Sequence, residues 1–364
     1  MFDNKNSLLY PFSLIYGMVT GIRNFLYDAE VFRSKEFPIP VICIGNITMG
    51  GTGKTPHTEY LAGLLSKEFR VAVLSRGYKR KSTDFRIVKP DSAITDSGDE
   101  PLQIASKFPN VVVAVERDRV KGVKKISELY PDTDVIILDD GFQHRALKPG
   151  FSVLLSDFSR PLPEDHLLPY GSLRESRNNI RRADVILITK TPPDISPIGR
   201  RLVVTNAGKL PYQNLYFTAI KYLKPKPVFD NAENRYDLEW NSFSANGAVL
   251  VTGIANTSPL EEHIKRFFST VVHLGFSDHH DFTNDDLSRI SGAWNELKTP
   301  VRYIITTEKD AMRLRNFTDL PEDIKAAFYY IPIGIEFLNN DKNEFEKLII
   351  DYVRRNKGNN RISA

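Results

Sequence analysis

Cysteine is nearly absent from this sequence. Its 364 residues include a single cysteine, Cys43, which lies in an apolar run that we expect to be a buried strand. One thiol forms neither a disulfide framework nor a cysteine-based metal site, and this pattern is typical of a protein in a reducing cytoplasm.

The sequence also lacks a strong excess of charge of one sign. Its 49 Lys and Arg residues against 45 Asp and Glu residues give a formal net charge of +4. No tract rich in lysine and arginine, and no basic face interleaved with aromatic residues, indicates nucleic acid as a partner. Low-complexity segments and internal repeats are absent, and no feature marks an obligate protein partner.

No apolar run is long enough to cross a membrane as a helix. The nearest is the uncharged segment of 16 residues from Ser7 to Ile22. As a helix it would be about 24 Å long, against a hydrocarbon core of ~30 Å, and it lacks the cleavage-site pattern of a secretory signal. Its apolar residues recur on one helical stripe, which comprises Leu8, Phe12, Ile15, Val19, Ile22 and Leu26. This helix either packs in a core or binds the surface of a membrane.

What the sequence does contain is a glycine-rich loop between an apolar run and a helix-like stretch. The expected nucleotide-binding residues are Thr48, Met49, Gly50, Gly51, Thr52, Gly53, Lys54 and Thr55. Glycines let backbone N–H groups curl around an anion, and the helix N-terminus adds partial positive charge. We expect Lys54 to reach the β- and γ-phosphates of ATP and the Thr55 hydroxyl to hold Mg²⁺. The loop is similar to the variant of nitrogenase-type ATPases, with Met49 in place of their extra lysine.

Strands and helices alternate after this loop. Alternation predicts an α/β fold with a mostly parallel sheet flanked by helices, whose ligands lie at the carboxyl ends of the strands. The rhythm breaks between Tyr216 and Asn246 and then resumes. We therefore predict an N-terminal helix with a phosphate-loop domain over 1–215, an extended linker over 216–246, and a smaller C-terminal α/β domain over 247–364.

Acidic residues follow two of the predicted elements. Asp139 comes directly after the apolar run Val135–Leu138, the position of an acid that supports Mg²⁺, and Asp140 adds a second negative charge. Asp99 lies at a predicted helix start. There it is either a helix cap or a base that deprotonates an attacking hydroxyl.

Two adjacent histidines, His279 and His280, lie between Asp278 and Asp281. Adjacent residues of an extended segment point in opposite directions, so we favour one orienting or catalytic imidazole over a metal site.

Four arginines follow predicted strand ends or loops near them: Arg76, Arg117, Arg119 and Arg174. Solvation at the surface is the default for arginine. If these four converge on one cleft, they would instead clamp phosphate, since guanidinium groups bind phosphate oxygens in bidentate fashion. In the Thr189–Pro192 segment, Pro192 replaces the aspartate that reads guanine, which argues against GTP.

Taken together, these blocks resemble the tetraacyldisaccharide 4′-kinase family, the lipid A 4′-kinases of Gram-negative bacteria. The similarity runs over nearly the whole chain. It is carried by the segments at 10–17, 45–56, 75–78, 98–101, 139–144, 173–175, 276–282 and 307–310. The sequence departs from the expected Ala, Pro and Pro at Tyr170, Ser172 and Ser176.

The resemblance implies ATP-dependent phosphorylation of the 4′-hydroxyl of a tetraacylated glucosamine disaccharide 1-phosphate, at the cytoplasmic face of the inner membrane. It implies a membrane-associated N-terminal helix and a β-ribbon between the domains. It also implies that Asp99 is the catalytic base, tuned by His279 or His280, with Asp139 and Asp140 near Mg²⁺. Glu175 and Arg174 would act near the metal and the phosphate. The alternative function is a nitrogenase-type ATPase switch, which the missing lysine at Met49 disfavours.

Overall fold

The computed structural model of the protein describes residues 7–78, 80–160, 165–229, 240, 245–278, 280–317 and 319–357. Contacts divide the chain into two compact units. The first holds the residues up to Ile220 and those from Ile335 onward, and the second is Lys221–Gly334.

The first unit is built on a mostly parallel sheet, which confirms the predicted fold class. Up to the second unit its elements are α1 (Tyr10–Asp28), β1 (Val41–Asn46), α2 (Lys54–Leu65), β2 (Val71–Ser75), β3 (Arg86–Val88), α3 (Ile94–Ser97), α4 (Asp99–Lys107), β4 (Val112–Val115), α5 (Arg119–Leu129), β5 (Val135–Asp139), β6 (Phe151–Asp157), β7 (Val185–Thr189), α6 (Pro197–Ala207) and β8 (Asn214–Tyr222).

The second unit has a smaller α/β sheet. Its elements are β9 (Lys226–Pro227), β10 (Gly247–Thr252), α7 (Ser258–Lys265), β11 (Thr270–Gly275), α8 (Asn284–Glu296), β12 (Arg302–Thr307), α9 (Glu308–Leu314), α10 (Glu322–Ala327) and β13 (Phe328–Ile331). The chain then continues through β14 (Ile333–Phe337) and α11 (Lys342–Lys357). Within the described residues the strands of this smaller sheet follow the order β11-β10-β12-β13-β9, with β9 antiparallel to β13.

In the large sheet the described strands follow the order β14-β8-β7-β6-β1-β5-β2-β4-β3. The pairs from β8 to β4 are parallel, and β3 adds an antiparallel edge. Every residue of β1 and β5 is buried, because helices cover both faces. Leu61 of α2 and Ile349 of α11 pack on one face. Val123 of α5 packs on the other.

The parallel order places the glycine-rich loop, Asp139 and the ends of β2, β6 and β7 at one edge of the sheet, because the carboxyl ends of parallel strands share an edge.

The division of the chain differs from the predicted one at two places. The prediction assigned 247–364 to the second domain, but the apolar face of α11, with Phe345 and Val353, completes the core of the first unit. Part of the predicted linker 216–246 is strand β8 of the large sheet. Residues 230–239 and 241–244 of that linker lie outside the described residues.

The N-terminal helix α1 presents its apolar side chains to solvent and its polar ones to the protein. On the predicted stripe, Leu8, Phe12, Ile15, Val19 and Ile22 are all at least half exposed. Ser13 and Asn24 are the residues of α1 that are buried. A core helix would show the opposite pattern. Among the described residues, no helix combines the length and the hydropathy needed to traverse a bilayer.

Candidate active site

The glycine-rich loop leads from β1 into the first turn of α2. Gly50 and Gly53 have φ angles of 99° and 86°, a region that glycine enters without the cost met by other residues. Gly53 is the N-cap of α2, so Lys54 and Thr55 occupy its first turn. This geometry turns backbone N–H groups and the positive end of the helix dipole toward the loop, as an anion site requires.

Buried side chains hold the loop in this form. Asn46 Nδ2 donates to Thr52 Oγ1 at 2.8 Å, and the Thr189 hydroxyl at the end of β7 donates to the Thr52 carbonyl at 2.8 Å. Thr52 is fully buried. The middle of the loop is therefore tied to its own strand and to the end of β7.

A segment that we call the strap, residues 165–175, lies between the phosphate loop and α1. The Met49 N–H donates to the Ser172 carbonyl at 2.6 Å, and the Arg174 N–H donates to the Ile47 carbonyl at 2.7 Å. On the other side of the strap, the Leu167 carbonyl accepts a hydrogen bond from the Ser13 hydroxyl of α1 at 2.8 Å. Helix α1 is thus connected to the phosphate loop through a single layer of chain.

The two strand-end acids have different surroundings. Asp139 is buried, and its two carboxylate oxygens accept hydrogen bonds from Thr58 at 3.0 Å and Ser75 at 3.1 Å. Burial and the neighbouring Asp140 charge raise the pKa of Asp139, against the opposing effect of Lys54. Asp140 has a φ of 50° and about a third of its side chain is exposed. The more open acid is therefore Asp140.

Asp140 joins two of the predicted phosphate-binding cations. Its carboxylate lies 3.9 Å from Lys54 Nζ and accepts hydrogen bonds from Arg174 Nη1 at 3.2 Å. The structure therefore brings Lys54, Asp140 and Arg174 together beside the glycine-rich loop, as the sequence pattern predicts for residues of one site.

The remaining arginines divide by burial. Arg119 is 2% exposed, and its guanidinium donates to the Glu116 carbonyl at 2.7 Å and the Asp139 carbonyl at 3.2 Å. Burial lowers the pKa of Arg119, and the positive charge of Arg76 contributes to that shift. Arg76 and Arg117 are exposed. Arg119 thus fixes the backbone that carries Asp139 and Asp140, while a direct contact with phosphate stays a prediction.

Glu175 is the hub of a buried polar network. Its carboxylate accepts hydrogen bonds from Arg182 at 2.6 Å, Gln143 at 3.0 Å and Asn24 of α1 at 3.2 Å. Gln143 in turn accepts from Arg174 at 3.3 Å. Both carboxylate oxygens of Glu175 therefore accept hydrogen bonds from the protein. A role for Glu175 near a metal ion stays a prediction.

Asp99 is the first residue of α4 and is nearly buried. The N-cap is Gly98, with a φ of 85°, so Asp99 is not the cap residue. A β-carbon at Gly98 would lie 3.0 Å from the Tyr78 carbonyl. The turn after β2 therefore packs closely against the start of α4 and places Asp99 beside the loop that carries Arg76.

Of the two histidines, His280 lies in the described residues and His279 does not. His280 Nε2 lies 2.9 Å from the Asp286 carboxylate of α8, and its ring stacks on Phe276 at 4.9 Å. The acid that orients this imidazole is Asp286, six residues downstream, rather than a flanking aspartate. Because a carboxylate accepts, Nε2 carries the proton.

Sequence reasoning missed several residues that shape the site: Asn24, Asn46, Thr58, Ser75, Gln143, Arg182 and Thr189. Thr58 had a usable signal, since it lies one helical turn after Lys54 and so on the same face of α2. Gln143 lies within the quoted 139–144 segment. Asn46, Ser75 and Thr189 also lie within named segments, at 45–56, 75–78 and 189–192, whereas Asn24 and Arg182 have no local signature.

A buried histidine links the phosphate loop to β8. His57 Nδ1 lies 2.7 Å from the Gly53 carbonyl and Nε2 lies 3.0 Å from the Thr218 hydroxyl. Since a carbonyl only accepts, Nδ1 carries the proton and Nε2 accepts. Burial lowers the pKa of His57 from 6.5 to about 4.

We expect acid to destabilise the protein in part through His57. The unfolded chain binds the proton at a higher pH than the folded one, so this contribution is full above pH 6.5 and is lost as the pH falls toward 4. Between about pH 7 and about pH 5 the loss is about 2 kcal/mol. Urea unfolding of the wild type and of His57→Gln at both pH values measures it. Equal pH dependence in the two proteins would contradict the assignment.

The family model described as tetraacyldisaccharide-1-P 4′-kinase (LpxK) matches residues 5–354. The chain belongs to this family. Membership confirms the resemblance drawn from the sequence and does not favour the nitrogenase-type switch.

Individual members of the family agree with the match. The chain is 44% identical to the tetraacyldisaccharide 4′-kinase of Bacteroides thetaiotaomicron over 361 residues, which cover 98% of this chain and 95% of the relative. It is 45% identical to that of Phocaeicola vulgatus over 362 residues, 98% of each chain. The crystal structure of LpxK from Aquifex aeolicus in complex with ATP superposes with a TM-score of 0.74 at 28% identity. The overlap covers 96% of this chain and 99% of that one.

Proposed function

We propose that the protein transfers the γ-phosphoryl group of ATP to the 4′-hydroxyl of a tetraacylated glucosamine disaccharide 1-phosphate. The observation that carries the proposal is the cluster of Lys54, Asp140 and Arg174 beside a positive-φ glycine loop, in a member of a family named for this reaction. The related LpxK of Aquifex aeolicus was crystallised in complex with ATP.

Phosphoryl transfer depends on positioning and charge stabilisation more than on covalent chemistry. Backbone N–H groups of Gly50, Gly51 and Gly53 and of the start of α2 bind phosphate oxygens, whereas the Met49 N–H is already donated to the Ser172 carbonyl. Lys54 and Arg174 stabilise the negative charge that develops on the transferred group. Asp140 holds both cations in place before the nucleotide binds, since it contacts each of them.

Oxygen donors at the site fit Mg²⁺. Thr55, Asp139 and Asp140 supply a hydroxyl and two carboxylates, which are hard ligands of the type that Mg²⁺ prefers. Within the described ranges no three His, Cys, Asp or Glu side chains form a full ligand cage, which suits an ion bound partly by substrate phosphates. When bound, the ion would neutralise part of the negative charge of the phosphate groups.

Asp99 is the base in this proposal. The sugar hydroxyl is a poor nucleophile until its proton has an acceptor, and a carboxylate held at the start of α4 supplies one. A histidine of the 279–280 pair tunes that base. His280, fixed by Asp286 and Phe276, is held in one tautomer as such a role requires.

Incubation with ATP, Mg²⁺ and the lipid disaccharide 1-phosphate tests the proposed reaction. We expect a product heavier by one phosphate and consumption of ATP that depends on the lipid. ATP hydrolysis stimulated instead by a protein would point to a switch ATPase, and no lipid product at any detergent concentration would refute the kinase assignment.

We propose further that α1 docks on the cytoplasmic surface of the inner membrane. Its outward face is apolar over three turns, with Phe12, Ile15 and Val19 each about 60% exposed, while its polar face is anchored to the strap. A helix of this kind lies in the interface with its apolar side among the lipids. The acylated substrate resides in the same layer.

Charge on the outer face of α1 is expected to weaken membrane binding strongly without unfolding the protein. Because Ile15 and Val19 contact little of the protein, Ile15→Asp with Val19→Asp leaves the core intact. The loss of two buried aliphatic groups from the lipid lowers the partition coefficient by at least about tenfold. Flotation with liposomes, beside a thermal melt, measures both effects.

The matched control is Ile198→Asp with Leu202→Asp on α6, two exposed residues (75% and 58%) of the same unit that are also four positions apart. It adds charge to another helix, and we expect it to float as the wild type does. A double α1 variant that floats normally would contradict docking through this face. These point substitutions test membrane binding more specifically than a deletion of residues 1–28 would. The deletion would also remove the contacts that Ser13, Tyr16 and Asn24 make with the rest of the protein.

A further inference from the structure

A cation outside the predicted arginine set lies against the phosphate loop. Arg160 follows β6, and its Nη1 donates to the Met49 carbonyl at 3.2 Å. A β-carbon placed on Gly50 would lie 2.9 Å from Nη1 and 3.0 Å from Nη2. The guanidinium therefore packs directly on the loop backbone, at the residue whose φ of 99° shapes the loop.

Asp157 fixes the position of this guanidinium. Its carboxylate is 3.7 Å from Arg160 Nη2 and is also bound by Lys190 at 2.8 Å and the Ser159 hydroxyl at 2.7 Å. Burial opposes ionisation of Asp157, but the hydrogen bonds from Lys190 and Ser159 outweigh it and lower the pKa. The carboxylate is thus ionised, and Lys190 already offsets its charge. The positive charge of Arg160, the second cation at this carboxylate, therefore remains available to an anion in the loop.

The other cations of the site approach the loop from a different side. Lys54 and Arg174 both contact Asp140, which follows β5. Arg160 follows β6, on the opposite side of β1 in the sheet order. A triphosphate in the loop would therefore meet cations from both flanking strands.

The residue at position 49 explains why a cation beside the loop matters for phosphate binding. Met49 occupies the place of the extra lysine of nitrogenase-type loops, so the loop itself lacks a cation there. Arg160 brings a guanidinium to the Met49–Gly50 backbone from the neighbouring strand. About 28% of its side chain is exposed, which leaves N–H groups accessible to an anion.

We propose that Arg160 is a further phosphate-binding residue, whose planar guanidinium binds an oxygen of the nucleotide's β- or γ-phosphate from the Met49–Gly50 side of the loop. The inference rests on the proposed function, since it takes the occupant of the loop to be ATP. Arginine suits this role because its fixed fork of donors can serve the Met49 carbonyl and a phosphate oxygen together.

A purely structural role is the alternative. In that case Arg160 only holds the Met49 carbonyl, and a neutral donor of similar reach would serve as well. Arg160→Gln retains an N–H donor without charge, whereas Arg160→Lys retains charge without the fork. The two variants therefore separate binding of phosphate from support of the loop.

The experiment measures affinity for the non-hydrolysable analogue AMP-PNP and for AMP by calorimetry, with Mg²⁺ present, alongside turnover. For Arg160→Ala and Arg160→Gln we expect AMP-PNP affinity to fall by about ten- to a hundredfold, with AMP affinity unchanged. Arg160→Lys should retain affinity to within about tenfold of the wild type. The control is Arg70→Ala, which removes an exposed arginine paired with Asp132 at the start of β2, and should bind both nucleotides normally.

Several outcomes overturn the inference. Normal AMP-PNP affinity in Arg160→Ala does so, as does a Gln variant that binds like the wild type while the Lys variant fails. Equal losses for AMP and AMP-PNP would assign the effect to loop collapse. Lys54→Ala distinguishes this failure from failure of the proposed function. If the wild type binds AMP-PNP no better than Lys54→Ala does, the loop is not the nucleotide site. If only the Arg160 variants bind normally, the kinase proposal stands without Arg160.

Discussion

Lys54→Ala is expected to lower kcat by about a thousandfold while leaving the fold intact. The lysine lies in the first turn of α2, and its ammonium is held 3.9 Å from Asp140 rather than packed in the core. Its removal therefore withdraws charge from the transferred phosphoryl group without creating a cavity. Steady-state kinetics with the lipid disaccharide, beside a thermal melt, measures both consequences.

Lys148→Ala serves as the control for this result. Lys148 forms an exposed ion pair with Glu36 at 2.6 Å, so its loss changes net charge equally and should leave kcat within about twofold. A Lys54 variant with a rate close to that of Lys148→Ala would remove the phosphate-loop assignment.

Asp99→Ala is expected to lower kcat by about a hundred- to ten-thousandfold, with little change in the KM for ATP. The reason is chemical, because loss of the base leaves the attacking hydroxyl protonated but leaves the nucleotide contacts of the loop in place. Asp99→Asn should be equally slow, since the amide keeps the size and lacks the basicity. Initial rates over a range of ATP concentrations separate the two constants.

The histidine pair provides a second arm of this test. If a histidine tunes Asp99, then combining Asp99→Ala with His280→Ala should cost little more than the slower single variant, because both serve one step. His279→Ala is the matched comparison, and the histidine whose loss is masked by Asp99→Ala is the participating one. Strictly additive losses for both histidines would show that they act elsewhere.

Local pattern was enough to predict the centre of the candidate site. An apolar strand, a glycine cluster and Lys54–Thr55 specify the loop, because few other sequences meet the steric demands of positive φ at Gly50 and Gly53. The position of Asp139 at a strand end could be predicted equally well. A buried parallel strand is a continuous apolar run, and ligands bind at its carboxyl end.

Features that depend on contacts between residues far apart in the chain could not be predicted from local sequence. Arg160 reaches the loop from a strand that neighbours β1 only after the sheet has formed. Helix α11 joins the first core although the whole second unit precedes it in the chain. The orientation of α1 was undecided because an apolar stripe has the same periodicity whether it faces protein or lipid. The buried contacts of Ser13 and Asn24 show that the polar side of α1 faces the protein, which leaves the apolar stripe at the surface.

The attachment of α1 to the strap has a consequence for how substrate concentration should be understood. Tyr16 of α1 donates to the carbonyl of Arg174 itself, at 2.8 Å, and a helix is only about 10 Å across. If the outer face of α1 rests among lipid headgroups, the backbone of Arg174, which we propose to bind phosphate, lies about one helix diameter from them. The enzyme then has no need to extract its lipid, whose acyl chains stay in the bilayer while the sugar rises to the site. The relevant concentration is a surface density, moles of substrate per area of membrane, and dilution by inert lipid slows the reaction even when the bulk amount is constant.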